Sequence, residues 1–99
     1  MPSKINTLHL TVKKKWFNDI ELGKKDKEYR IVKPYWEKRL IGKDYDYIEF
    51  RNGYRKDSRK MTVKFLELSM LSSGIETDLK CSDPVFVLSF DKNGVENVR

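Results

Sequence analysis

The sequence of 99 residues has only one cysteine and one histidine, and the two lie far apart. The single cysteine, Cys81, excludes an internal disulfide and a cluster of thiolate metal ligands. His9 has no second histidine or nearby cysteine, which excludes a zinc site with the usual ligands. We therefore expect no metal and no cofactor, and the lack of disulfides favours a cytoplasmic protein.

Long hydrophobic runs are missing as well. No apolar stretch approaches the roughly 20 residues that span a bilayer, and the first residues lack the apolar segment of a secretory signal. We expect no membrane partner. The sequence also contains no phosphate-binding G-x-x-x-x-G-K loop and no G-x-S-x-G nucleophile elbow, which excludes two large groups of enzymes.

The amino-acid composition is that of a small folded domain with a small hydrophobic core. Hydrophobic residues make up 38% and charged residues 36%, while 12% aromatic residues are too many for a disordered chain. A chain of this length supports one modest core. We expect a single domain over residues 1–99, with residues 1–7 as a flexible lead-in.

The positive charge is distributed unevenly. The formal net charge is +6 and the isoelectric point about 9.4, which suggests a polyanionic partner such as nucleic acid. Between residues 65 and 91, Lys80 is the only basic residue. Three basic clusters precede that stretch and predict one positive face: Lys13, Lys14 and Lys15; Lys24, Lys25 and Lys27; Arg51, Arg55, Lys56, Arg59 and Lys60.

Hydrophobic periodicity predicts an α+β fold of about five strands and two short helices. The spacing predicts strands at 8–12, 26–33, 44–52, 61–70 and 85–90, and helices at 13–22 and 35–41. A small β-barrel whose ends are covered by the helices would protect the strand edges in a chain of this size.

Some local features carry further expectations. Gly23 and Gly42 stand where the helices should end, and the stripe that includes Trp16 is interpreted as core. In the fourth strand the apolar phase changes between residues 65 and 66, which predicts a bulge or a barrel corner. Residues 72–84 should form a loop with one helical turn, and Asn93-Gly94 a turn near the end.

The turn from the first helix to the second strand collects charged side chains. Gly23 and Lys25 lie in the turn, and Glu28 and Arg30, two apart on a strand, share a face. An ammonium, a carboxylate and a guanidinium held together can bind a polar ligand or move a proton. The alternative is a surface turn with ion pairs worth about 0–1 kcal/mol each.

A second set of candidates comes from the corner after the third strand. Arg51 and Asn52 can hydrogen-bond a base edge or a phosphate, and Tyr54 can stack on a base. Lys13, at the start of the first helix, is a further contributor. The alternative for Tyr54 is a turn residue packed on its own loop.

Gly23, Lys25, Glu28 and Arg30 fit the pattern G-x-K-x-x-E-x-R, and in this respect the chain resembles the ASCH domain superfamily. The resemblance implies a PUA-like β-barrel and a role in binding RNA. Some ASCH relatives remove the acetyl group from N4-acetylcytidine, which implies a catalytic role for Lys25. The chain departs from these amidohydrolases at Glu28, where they have a hydroxyl residue.

Three functions follow. The first is binding of RNA or of a modified nucleotide in a cationic cleft formed by Lys13, Lys25, Glu28, Arg30, Arg51, Asn52 and Tyr54.

The second is a hydrolase, either an N4-acetylcytidine amidohydrolase or a ribonuclease. A partly desolvated Lys25 beside Arg30 would lose its proton more readily and act as base or nucleophile, with Glu28 relaying a proton. The third is a protein-interaction module without a nucleic-acid partner.

Overall fold

The computed structural model describes residues 5–91 and contains five strands and two helices within that range. The strands are β1 (Thr7–Val12), β2 (Lys27–Ile31), β3 (Tyr47–Asn52), β4 (Lys60–Leu71) and β5 (Val85–Phe90), and the helices are α1 (Lys14–Glu21) and α2 (Pro34–Leu40). The strands form a mixed sheet in the order β1-β3-β4-β5-β2. The expected α+β class is confirmed, whereas the barrel and its PUA-like form stay predictions.

The described chain divides into two compact units. The first unit comprises residues 5–26, 44–66 and 90–91, and so contains β1, α1, β3 and the first part of β4. The second comprises residues 27–43 and 67–89, with β2, α2, the last part of β4 and most of β5. Each unit is assembled from stretches that are separate in sequence.

The core of the first unit lies between its strands and α1. β1 pairs with β3 in parallel, and β3 pairs with β4 in antiparallel. A parallel pair needs a crossover connection, and α1 lies in that connection and packs on β3. Alternate strand residues and two residues of α1 are buried: Leu8, Leu10, Val12, Ile48, Phe50, Met61 and Val63, with Phe17 and Ile20.

The second unit is built around β5. Residues Val85, Phe86, Val87 and Leu88 are all buried, which means that both faces of the strand are covered. β2 pairs with β5 in antiparallel, and α2 contributes the buried Leu40. The short helix depends on this packing, since isolated helices of this length are unstable in water.

Both helices end as the sequence predicts. Gly23 and Gly42 have φ angles of +76° and +73°, in the left-handed region that glycine enters without steric cost. Pro34 occupies the first turn of α2, where its fixed φ suits the helix and its missing N–H is not needed.

Three local predictions need correction. β4 runs as one strand, and Leu66 and Met70 are 59% and 54% exposed, so its second half does not turn a new face inward. The register with β3 ends at Lys64, opposite Tyr47, because β3 is half as long as β4.

The remaining corrections concern the loop and the chain ends. Residues 72–84 form successive turns closed by a bridge between Gly74 and Cys81, and not a helical turn. β1 begins at Thr7, so the predicted lead-in ends one residue earlier. The turn predicted at Asn93-Gly94 lies outside the described residues.

Candidate functional site

The turn after α1 carries Lys25 back over the helix. Once Gly23 has ended α1, the backbone N–H groups of Lys24 and Lys25 donate to the carbonyl oxygen of Asp19, at 2.8 and 3.2 Å. These bonds hold the turn against the helix. The ammonium nitrogen of Lys25 then lies 5.0 Å from the centroid of the Trp16 ring.

Trp16 has a second cation beside it, because the ammonium nitrogen of Lys15 lies 4.6 Å from the same centroid. The interpretation of Trp16 as a core residue is confirmed only in part. Phe17 and Ile20 are fully buried, whereas Trp16 is half-buried. Trp16 therefore lies at the border of the buried stripe of α1.

The corner between β3 and β4 lies beside the start of α1. Asn52 is in register with Val12, and the N–H of Gly53 donates to the carbonyl oxygen of Val12 at 3.0 Å. Lys13 follows Val12 directly, so the structure brings the backbones of Lys13 and Asn52 together. Tyr54 is 87% exposed and does not pack on its own loop.

Arg51 is engaged by the loop that follows it. Its Nη2 donates to the carbonyl oxygen of Arg55, which also accepts the backbone N–H of Ser58 at 3.1 Å. Within residues 5–91, the buried Nε of Arg51 has no hydrogen-bond partner. The hydrogen bond from Arg51 to Arg55 holds the loop together, and the predicted ligand-binding role of Arg51 stays a prediction.

Arg59 joins the same basic loop to α1. Its guanidinium forms an ion pair with Glu21, with nitrogen–oxygen distances of 2.5 and 3.3 Å, and lies 5.6 Å from the centroid of the Phe17 ring. The contact ties a loop residue to the last residue of α1. It gives the loop between β3 and β4 a fixed neighbour.

Basic residues from all three sequence clusters therefore lie in α1 or in segments that contact it, and the contact of the third cluster is made by Arg59. We call this set the α1 basic surface. It consists of Lys13, Lys14 and Lys15 at the start of the helix, Lys24 and Lys25 in the turn after it, and Arg55, Lys56 and Arg59 in the attached loop.

The start of α1 is unusual in its charges. Within the described residues, Lys13 is the N-cap residue of α1, and its side chain makes no capping hydrogen bond. The first turn of α1 contains no acidic residue. Lys14 and Lys15 stand there instead. A helix N-terminus carries a partial positive charge, so lysines at this position are unfavourable and an anion is favourable.

Glu28 and Arg30 form an ion pair in the second unit. Arg30 Nη2 donates to Glu28 Oε2 at 2.8 Å, and the two side chains are 21% and 9% exposed. The guanidinium also lies 5.0 Å from the centroid of the Trp36 ring. The shared face expected from the spacing of the two residues is confirmed by this contact.

Tyr35 belongs to a separate contact on α2. The guanidinium of Arg39 lies 3.6 Å from the centroid of its ring, and Arg39 Nη1 donates to the carbonyl oxygen of Tyr35 at 3.2 Å. Residues at i and i+4 are neighbours on a helix surface. One face of Tyr35 is therefore covered by Arg39.

The predicted site residues fall into two groups. Lys13, Asn52 and Tyr54 share the first unit with Lys25 and Arg51, whereas Glu28 and Arg30 belong to the second. The common pocket for Lys25, Glu28 and Arg30 stays a prediction.

Sequence reasoning missed the roles of Trp16 and Arg59. For Trp16 there was a local signal: its charged neighbour Lys15 indicates a position at the border between the buried and the exposed side of α1. The pair of Arg59 with Glu21 spans 38 positions and had no local signal.

Comparison with known proteins yields no match, either to a family model or to a curated protein. Across residues 5–91, no helix is long and apolar enough to cross a membrane. Over the same range, no three His, Cys, Asp or Glu side chains converge in a way that could hold a metal ion.

Proposed function

We propose that this protein binds RNA, or a nucleotide with a modified base, through the α1 basic surface. The observation that carries this proposal is the meeting of three basic clusters, distant in sequence, at one short helix. A surface of this kind attracts phosphate groups. At 0.1 M salt the attraction extends over about one Debye length, ~10 Å. Exposed Tyr54, at the edge of the surface, offers a ring on which an unpaired base can stack.

The charges at the start of α1 support the same proposal. Three consecutive lysines at a helix N-terminus oppose the helix dipole and lower the stability of the helix. A bound phosphate would relieve this repulsion and accept hydrogen bonds from free backbone N–H groups. Lysines that oppose the helix dipole lower stability, and local features that lower stability are typical of functional surfaces.

The proposal extends to the family and the compartment. We infer an ASCH-like domain with a PUA-like barrel that works in the cytoplasm. Gly23, which ends α1 in the left-handed conformation, and the Glu28–Arg30 pair are compatible with the structural parts of the G-x-K-x-x-E-x-R pattern. The single cysteine supports a reducing compartment.

The test is the salt dependence of RNA affinity. A short fluorescent single-stranded RNA is titrated with the protein, and anisotropy is recorded at several salt concentrations. For about three to five phosphate contacts, raising the salt from about 50 to about 200 mM should weaken binding roughly 20- to 100-fold. A double-stranded RNA of the same sequence is the comparison for the single strand. Absence of binding at low salt, or an affinity that salt leaves unchanged, contradicts the proposal.

A second candidate function is hydrolysis, and the burial of Glu28 favours it. Glu28, 7% exposed, is the buried charged residue of the described chain, and a glutamate is rarely buried in a protein interior. In this candidate Lys25 acts as base or nucleophile on N4-acetylcytidine and Glu28 relays a proton. For the ribonuclease alternative, Lys25 acts as acid and Glu28 as base on a ribose 2′-hydroxyl.

Incubation with N4-acetylcytidine, followed by chromatography, tests the hydrolase. The wild-type protein should release cytidine and acetate, and Lys25→Ala should abolish the release; Lys64→Ala is the control. Intact nucleoside after incubation with the wild type rejects this reaction. If RNA binding and hydrolysis both fail, the protein-interaction module is the alternative that remains.

A further inference from the structure

The second half of β4 has a neighbouring strand on one side only. β4 lies between β3 and β5 in the sheet, but its register with β3 ends at Lys64. The N–H of Phe65 still donates to the carbonyl oxygen of Asp46, just before β3, at 3.0 Å. β4 then continues to Leu71, and among the described strands none borders residues 67–71 on the side of β3. We call residues 67–71 the open edge of β4.

The backbone of the open edge can pair with another strand. Alternate residues of a strand direct their N–H and C=O groups to the same side, so about half of residues 67–71 direct theirs away from β5. An extended chain that lies alongside can exchange main-chain hydrogen bonds with these groups, as β3 does with the first half of β4. Proteins commonly protect such an edge with lysine or proline, and the open edge contains neither.

The two faces of the open edge differ in their side chains. Residues two apart on a strand share a face, so Leu68 and Met70 lie on one face, and Glu67 and Leu71 on the other. Met70 is 54% exposed and Leu71 44% exposed. A strand added here needs apolar residues on the face of Met70. On the face of Glu67 it needs basic residues, whose alkyl stems can also cover Leu71.

The charge of this region is opposite to that of the whole chain. Residues 67–89, which belong to the second unit, contain four acidic residues, and Lys80 is the only basic one. Glu67 on the open edge and Glu76 in the turns after β4 are exposed. Opposite charges on neighbouring strands stabilise the pair, whereas like charges directly opposite destabilise it. The charge therefore favours a basic partner strand.

We propose that the open edge of β4 binds an extended segment of a partner protein in which apolar and basic residues alternate. The segment adds a strand beside residues 67–71, with its apolar side chains on the face of Met70 and its basic side chains on the face of Glu67. A second copy of this chain fits less well, because pairing two open edges brings two acidic stretches together. This inference goes beyond the proposed function and concerns the second unit, whereas the α1 basic surface belongs to the first.

Hydrogen exchange of backbone amides, measured by nuclear magnetic resonance on the labelled full chain, tests this proposal. The probe is a short synthetic peptide of alternating valine and lysine with blocked ends, and a peptide of alternating valine and glutamate is its control. With the lysine peptide at about ten times its Kd, the outward-facing amides of residues 67–71 should exchange roughly tenfold more slowly. The glutamate peptide at the same concentration should leave these amides unprotected.

Variants test the two faces of the open edge. Met70→Lys removes an apolar contact and adds a charge that repels lysine, so it should weaken binding of the lysine peptide about 5- to 50-fold. Ile5→Lys, at an exposed apolar residue of the first unit, is the matched control and should leave the affinity unchanged. Glu67→Gln should weaken binding about 2- to 5-fold, as expected for an exposed ion pair, and less at high salt. A circular dichroism spectrum equal to that of the wild type shows that each variant is folded.

Three results would overturn the inference. The first is a lysine peptide that does not bind at ~1 mM, or that binds and leaves residues 67–71 unprotected. The second is equal protection by the two peptides, which would mean that charge does not select the partner. The third is a dimer in sedimentation that Met70→Lys dissociates, because the occupant of the open edge is then a second copy of this chain. RNA binding through the α1 basic surface stands or falls separately from these results.

Discussion

At the scale of single residues, Glu28 and Arg30 show how a charge is accommodated in a lean core. A buried carboxylate without a partner would cost several kcal/mol, and the guanidinium of Arg30 at 2.8 Å supplies that partner. The guanidinium also makes a cation–π contact with Trp36, 5.0 Å from the ring centroid. The pair is therefore more important for the stability of the second unit than exposed pairs such as Arg55–Asp57, whose side chains are more than four-fifths exposed.

Removing one member of this pair should destabilise the protein. We expect Glu28→Ala to lower the free energy of unfolding by about 2–3 kcal/mol, since it removes the carboxylate that neutralises a mostly buried guanidinium. Urea unfolding followed by circular dichroism measures the change. The double variant Glu28→Leu/Arg30→Met should recover most of the loss, because no uncompensated charge remains. A loss below about 0.5 kcal/mol for Glu28→Ala would show that this ion pair contributes no more than a surface pair.

At the scale of elements, α1 and α2 differ in how their charges match the helix dipole. α2 has Glu37 in its first turn and Lys38 and Arg39 in its last turn, which is the favourable order. α1 has no acidic residue in its first turn and no basic residue in its last turn. The stability of α1 therefore comes from the burial of Phe17 and Ile20 and not from the match of its charges to the dipole.

Reversing a charge at each helix should have opposite effects on stability. Lys14→Glu should stabilise the protein by about 0.3–1 kcal/mol because it places a carboxylate at the start of α1. Lys38→Glu, the matched control in the last turn of α2, should destabilise it by a similar amount. Thermal and urea unfolding measure both. RNA affinity should fall for Lys14→Glu in spite of its higher stability; a destabilised Lys14→Glu protein would contradict the dipole argument.

At the scale of the whole molecule, the location of charge should matter more than its total. The net charge of +6 gives a general attraction to polyanions, which any basic protein shares. The α1 basic surface adds specific contacts in the first unit. These two contributions can be separated by removing the same number of charges from each unit.

Two triple variants make this comparison. Lys14→Gln/Arg55→Gln/Lys56→Gln removes three exposed charges from the α1 basic surface, and Lys33→Gln/Lys38→Gln/Lys43→Gln removes three exposed charges from the second unit. We expect the first to weaken RNA binding at least about tenfold and to reduce the salt slope by about 2, and the second to weaken it less than about threefold. Equal losses in the two variants would mean that net charge alone attracts the RNA.

Local sequence predicted most of the elements of this protein. Alternation of apolar residues in β1, the continuous apolar run of β5, and glycines at positions 23 and 42 located the strands and the helix ends because these signals act over a few residues. The contact of Glu28 with Arg30 followed from the same period of two. The change of apolar phase in β4 was misleading, since Leu66 and Met70 lie on a part of the strand that extends past the register with β3.

What the sequence by itself determined is therefore the type and approximate bounds of each element and the excess of positive charge. Only the tertiary structure decided which charged residues share a surface. Arg59 reaches Glu21 across 38 positions, and Gly53 reaches Val12 through the parallel pairing of β1 with β3. Contacts of this kind depend on strand order and register, which local periodicity does not encode, and so the sequence predicted one positive face but not its location at α1.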